Sequence, residues 1–161
     1  MKMFRRILMA TDFSPASTPA LEESVKMAKQ DGAQLLIAHA YQEPRLVELS
    51  HAPAAVYAEW DQKLREAVER KLRPLLEYAR KEGVDAEGLI LRGFADEAII
   101  EAAKERSADL IVMGTHGRRG AARFFLGSVA ARVVSTAPCP VMTVRSAQSD
   151  LPPVDPPDFK V

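Results

Sequence analysis

Five short apolar runs, separated by longer amphipathic stretches, constrain the fold more than any other feature of this chain. "RILMA" (6–10), "QLLIAHAY" (34–41), "GLILR" (88–92), "DLIVMG" (109–114) and "VMTVR" (141–145) have the length and composition of strands. Between them apolar residues recur at helical spacing. Leu21, Val25 and Ala28 mark a first helix; Trp60, Leu64, Ala67, Val68, Leu72, Leu75, Leu76 and Ala79 mark a second. Ala98, Ile99, Ala102 and Ala103 mark a third, and Val129, Ala130, Val133 and Val134 a fourth. The order is βαβαβαβαβ. Runs such as "LLIA" and "LIVM" are apolar at consecutive positions, so both faces of each strand need cover, which helices above and below a parallel sheet provide. The expected fold is α/β, a three-layer α/β/α sandwich around a five-stranded parallel sheet. With 161 residues, 47% of them hydrophobic, the chain can close one such core.

Boundary signals agree with this reading. Ser14 or Thr18, each followed by a proline, is expected to cap the first helix, and Gly32 and Gly83 to end the first and second. Pro74 is expected to kink the second helix rather than end it, because the apolar spacing resumes in phase at Leu75 and Leu76. The stretch 42–56, "QEPRLVELSHAPAAV", lacks a period and reads as a long connection, a candidate flap. The expected domain spans 1–146. Residues 147–161 form a Pro-rich tail that reads as extended or disordered.

The 22 basic and 22 acidic side chains cancel, so no global field draws nucleic acid or an anionic membrane, and any anion site must be local. Cys139 stands between two prolines without a second sulfur, and reads as a small reduced apolar residue. The N-terminal apolar run, Ile7 to Ala10, is too short for a signal sequence or a membrane span. The expectation is a soluble, cytoplasmic protein.

In open parallel sheets ligands bind beyond the carboxyl ends of the strands. Two stretches stand there: "TDFS" (11–14) after the first strand and "MGTHGRRGAARFFLGSV" (113–129) at the end of the fourth. The second fits neither G-x-G-x-x-G nor the P-loop pattern. Its parts still suit an anion. Gly114 and Gly117 let backbone amides approach closely, and Gly127 with Ser128 opens a helix whose free N–H groups and positive dipole end favour phosphate. Ala10, Ala38, Ala40 and Met113 are candidates for an apolar slot. His116 lies inside the cradle as a candidate ribose or phosphate contact. Arg118, Arg119 and Arg123 are candidate phosphate contacts, against the plainer reading of a solvated basic loop. Asp12 reads either as a cap or turn residue or as a ligand contact. His39 and His51 are too scattered to suggest a metal, and Trp60, Phe124 and Phe125 read as packing residues. No metal site and no catalytic set follows from the spacing.

The glycine stretch matches G-x2-G-x9-G-[ST] as Gly114, Gly117, Gly127 and Ser128, and so resembles the nucleotide-binding signature of the universal stress proteins. "ILMATDFS", "IAHAY", "GFADEAI" and "CPVMTVR" extend the resemblance over residues 4 to 145. It implies strand order 3-2-1-4-5, the Rossmann-like arrangement of adenine nucleotide alpha hydrolases, and a homodimer paired through the last strand. It also implies ATP as ligand, with magnesium as its companion ion, and a stress-response role exercised on a protein partner. By position, Asp12 after Ala10 and Thr11 would lie near the ribose or a metal-bound water, and the Ala40 backbone would meet the adenine edge. Gly114 and Gly117 would approach the ribose and α-phosphate; Gly127, Ser128 and Val129 would hold the distal phosphates.

Two other readings use the same strands. An ATPase or nucleotidyl/phosphoryl transferase on a related adenine-binding fold needs turnover, for which only Asp12, Ser128 and some arginines are available; slow hydrolysis is the most this set suggests. A response-regulator receiver needs an acidic pair after the first strand, an aspartate after the third and a lysine after the fifth. Here "TDFS" offers one acid, Asp96 stands four residues beyond Arg92, and Ser146 follows "VMTVR".

Overall fold

The computed structural model describes residues 2–42, 53–115 and 126–146. Five strands, β1 (Arg6–Ala10), β2 (Gln34–Tyr41), β3 (Ala86–Arg92), β4 (Leu110–Gly114) and β5 (Val141–Val144), form one parallel sheet in the order β3-β2-β1-β4-β5. Four helices connect them: α1 (Thr18–Asp31), α2 (Ala54–Lys81), α3 (Ala95–Glu105) and α4 (Ser128–Thr136).

Consecutive apolar residues find cover on both sides, as their pattern demands. Ile7, Met9, Leu35, Ile37, Leu110 and Val112 pack with α1 and α2. Their neighbours Leu8, Ala10, Leu36, Ala38, Ile111 and Met113 pack with α3 and α4. The central strands β1, β2 and β4 therefore hold most of the fully buried side chains, and each large one contributes about 1.5–3 kcal/mol by leaving water. Among the described residues β3 and β5 have one neighbour each and are only half buried. At the amino end of the sheet, Asp109 accepts hydrogen bonds from the Arg5 and Arg6 amides (2.8 and 3.1 Å), and Asp31 does so from Phe4 (2.7 Å). These bonds tie the chain entering β1 to the end of α1 and to the residue before β4.

Several expectations need correction at the boundaries. Neither Ser14 nor Thr18 caps α1. A 3-10 turn, Pro15–Ser17, precedes the helix, Ser17 takes the cap position but its side chain makes no capping hydrogen bond to α1, and Thr18 is already helical. Helix α2 begins at Ala54, so the end of the expected connection at 42–56 is helical, while residues 43–52 lie outside the described residues. Gly32 does end α1, at φ 61°, and Pro74 sits inside α2 without ending it. Among the described residues no helix is long and apolar enough to cross a membrane. The tail at 147–161 lies outside the described residues.

Candidate functional site

The sheet order makes β1 and β4 neighbours, with Ala10 level with Met113 on one side and Ala38 on the other. The chains leaving β1 and β4 thus begin side by side. After Ala10, the Thr11 amide still donates to Ala38 O of β2 (2.9 Å), and the backbone then turns sharply. The turn is held by side chains. Asp12 Oδ1 accepts from the Ser14 amide (2.9 Å) and from Ser14 Oγ (2.5 Å), an Asx turn that explains why an aspartate follows this strand. Thr11 Oγ1 accepts from the Phe13 amide (3.0 Å) and lies 3.0 Å from Ser17 Oγ. Because Ser17 Oγ donates to Ser14 O (2.8 Å), the proton between the two hydroxyls comes from Thr11.

This network fixes Phe13 at φ 64°, a left-handed conformation that a bulky side chain rarely adopts. The ring is held by packing: the His39 imidazole lies 4.3 Å from it, centroid to centroid, and Lys71 Nζ of α2 stands 5.5 Å from its centre. His39 Nδ1 lies 2.8 Å from Thr11 O; a carbonyl only accepts, so the ring carries a proton on Nδ1. His39, expected as a packed strand residue, is packed and also anchors the turn.

Beyond β4, Thr115 closes the base of the glycine loop. Its amide donates to Val144 O of β5 (3.1 Å), and its carbonyl accepts from the Gly127 amide (2.8 Å). The loop thus leaves and returns at one point, with Gly127 as the cap of α4 and Ser128 as its first residue. Gly127 O accepts from the Ala131 amide (2.8 Å), while the first-turn amides that follow Gly127 have no carbonyl of their own helix to bond. The arrangement sets the positive end of α4 at the carboxyl end of the sheet, and Arg132, one turn on, ties α4 to Asp96 of α3 at 3.3 Å.

The expected site residues divide accordingly. Ala10, Thr11, Asp12, Ala40, Met113, Gly114, Gly127, Ser128 and Val129 all stand at the carboxyl end of the sheet or at the α4 mouth. Ala10, Ala38 and Met113 are buried in the α3/α4 core, a floor, and Ala40 is half-buried beside Leu91. His116, Gly117 and Arg118, with Arg119, Arg123, Phe124, Phe125 and His51, lie outside the described residues. Among the described residues no group of three or more His, Cys, Asp or Glu gathers to hold a metal.

Sequence reasoning missed Thr115 and a cluster at the end of β2. There Tyr41 Oη donates to Asp61 Oδ1 of α2 (2.7 Å), and burial, then the carboxylate, pushes the phenol pKa up, against the pull of Arg65. Tyr41 O accepts from the Gly93 amide (2.9 Å), where φ is 121°. Only the alternation along β2 could have placed Tyr41 on the α2 face; its partner, 20 residues on, has no local signal.

The sequence profile described as the Universal stress protein family matches residues 3–145. The chain belongs to that family. A Thermus aquaticus universal stress protein, encoded in the 3' region of a QAH/OAS sulfhydrylase gene, is 37% identical over 147 residues, covering 89% of this chain and all of the relative. Among solved structures, the hypothetical protein MJ0577 of Methanocaldococcus jannaschii superposes with TM-score 0.80 at 25% identity, over 91% of this chain and 99% of that one. A universal stress protein in complex with cAMP superposes with TM-score 0.65 at 28% identity, over 89% of this chain and 98% of that one. The three-layer sheet with order 3-2-1-4-5 is therefore the universal stress protein fold.

Proposed function

We propose that this universal stress protein binds ATP in the crevice between the β1 turn and the α4 mouth and uses its occupancy as a switch in the stress response. The observation that carries the reading is the juxtaposition of the braced Asp12 turn with a glycine-capped helix start on the adjoining strand. The positive end of α4 suits a phosphate chain, with Gly127, Ser128 and Val129 as its contacts. Asp12 takes the ribose or a magnesium-bound water, and the Ala40 backbone takes the adenine edge. Gly114 and Gly117 allow close approach to the ribose and α-phosphate, with Thr11, His116 and Arg118 around them. The cAMP complex of a related protein supports an adenine nucleotide as the ligand class.

Nothing in this set cleaves ATP quickly, since phosphoryl transfer needs several metal ligands and an oriented nucleophile. Occupancy acts through unequal affinity for two arrangements of the loops and of a surface read by a protein partner. Calorimetry of ATP with wild type and Gly127→Trp, paired with hydrogen exchange, tests it. Wild type binds and gains protection in the glycine loop, and the tryptophan variant does neither. Binding without any change in protection or partner affinity rejects the switch.

Dimerisation through β5 belongs to the same proposal. Among the described residues β5 pairs only with β4, and Met142 on it is exposed. Sedimentation of the full chain beside one ending at Ser146 tests it: both are dimers if the edge pairs with its twin, and the full chain is a monomer if residues 147–161 cover the edge.

A further inference from the structure

The sheet's other edge carries features that nucleotide binding does not use. Among the described residues β3 pairs with β2 alone, so alternate backbone groups of the strand face outward between α2 and α3. Two cavities, of about 330 and 490 Å³, lie along this edge, floored by Gly88 and Ile90 and walled by α2. The α2 wall is a ridge of charge. Arg65, Glu69, Arg73 and Glu77 recur every fourth residue, all exposed, with signs plus, minus, plus, minus. Neighbours at this spacing often pair within one helix, yet among the described residues Glu69, Arg73 and Glu77 take part in no ion pair. Ion pairs do form elsewhere on the same helix, between Lys63 and Glu59 at 2.8 Å.

The order of signs is antisymmetric about the middle of the ridge. Arg65 and Glu77 stand six residues either side of position 71, and Glu69 and Arg73 two either side. Laid antiparallel against its own copy across a two-fold axis at that level, the ridge sets Arg65 opposite Glu77 and Glu69 opposite Arg73, each twice. A parallel copy would set like charges together. From Arg65 to Glu77 the ridge spans about 18 Å at 1.5 Å rise per residue. We propose that this face is a two-fold interface with a second copy of the same chain, α2 lying antiparallel against α2 over the β3 groove. The occupant is a second copy because the ridge itself already carries the complementary pattern, and isologous contact is the arrangement that pairs a surface with itself. The face lies at the opposite edge of the sheet from β5, so the two interfaces stand or fall separately.

Glu69→Arg leaves Arg at 69 facing Arg73 of the second copy, and Arg73→Glu leaves Glu69 facing Glu at 73. Each variant alone must lose association, but the two mixed in equal amounts restore opposite charges at both positions. Light scattering coupled to size exclusion reads the outcome. The expected result is an average mass at least twofold lower for each variant than for wild type at equal concentration. Recovery in the mixture excludes misfolding as the cause. Wild-type association must also weaken as salt shortens the screening length from about 10 Å at 0.1 M to 3 Å at 1 M. A mixture no heavier than either variant, or a wild type no heavier than Glu69→Arg at every concentration, overturns the proposal. Charge loss that abolishes capture of an acidic or basic peptide while leaving the mass unchanged assigns the groove to a different partner and also overturns it.

Discussion

Thr11→Val perturbs the site at its best-defined hinge. Thr11 is 6% exposed, and valine matches its shape, so the substitution removes the hydroxyl and little else. Ser17 keeps its bond to Ser14 O, but the Phe13 amide loses its acceptor. A buried donor without a partner costs about 1–3 kcal/mol, here toward the lower end because Phe13 is only half-buried. The added methyl offsets roughly 0.8 kcal/mol of that. A net loss of about 0.5–1 kcal/mol lowers the melting temperature by roughly 1–4 °C in a chain of this size. The larger consequence concerns binding. Phe13 at φ 64° carries strain of about 1–3 kcal/mol that the lost bond helped to hold, so the turn relaxes and Asp12 moves with it. If binding must restore the turn at a cost of about 1.4 kcal/mol, ATP affinity falls tenfold. Urea unfolding and calorimetry measure the two effects, and Thr11→Ser, which keeps the hydroxyl, is the control. Unchanged melting and unchanged affinity in Thr11→Val would refute the reasoning, as would an equal loss in Thr11→Ser.

Tyr41→Phe removes a phenol whose folded pKa is raised by burial and then by Asp61. The neutral phenol stabilises the fold fully below the unfolded pKa of about 10 and less as pH rises through the folded value, so wild type loses stability above pH 10 more steeply than the variant. Urea midpoints across that range check it. Gly93→Ala meets no atom within 4 Å, so its cost is conformational, φ 121° being closed to alanine, and we expect a loss of about 1–3 kcal/mol in chemical denaturation. Burial, with the Asp109 charge second, pushes the Cys139 thiol up. Its reaction with a disulfide reagent at neutral pH is therefore slower than that of free cysteine, and quickens when the protein is unfolded. Leu36→Ala, in a fully buried position of a central strand, costs about 2–5 kcal/mol on the same assay.

The layers, the helices and the parallel sheet were legible because burial on both faces leaves a continuous apolar run, and "LLIA" and "LIVM" show it. The start of α2 was not. Ala54 to Val56 carry no apolar period, being exposed on every side, and follow a proline that reads equally as loop. The strand order needed the family resemblance, since nothing local says that β1 lies between β2 and β4. At the site, Asp12 and the Gly127–Ser128 pair were visible as residue types placed just after strands or just before a helix. Thr11 was named without its role: the bond from the Phe13 amide is a local turn contact, while the bond from His39 of β2 is tertiary information. Asp12 fills the turn role that its place after the strand suggests, one carboxylate oxygen building the Asx turn.

Crystals soaked in ATP and magnesium test the central claim most directly. The account predicts a triphosphate against the first-turn amides of α4, with the ribose toward Asp12 and the adenine toward Ala40. A nucleotide bound elsewhere on the molecule, or a crevice that stays filled with solvent at millimolar ATP, would contradict it.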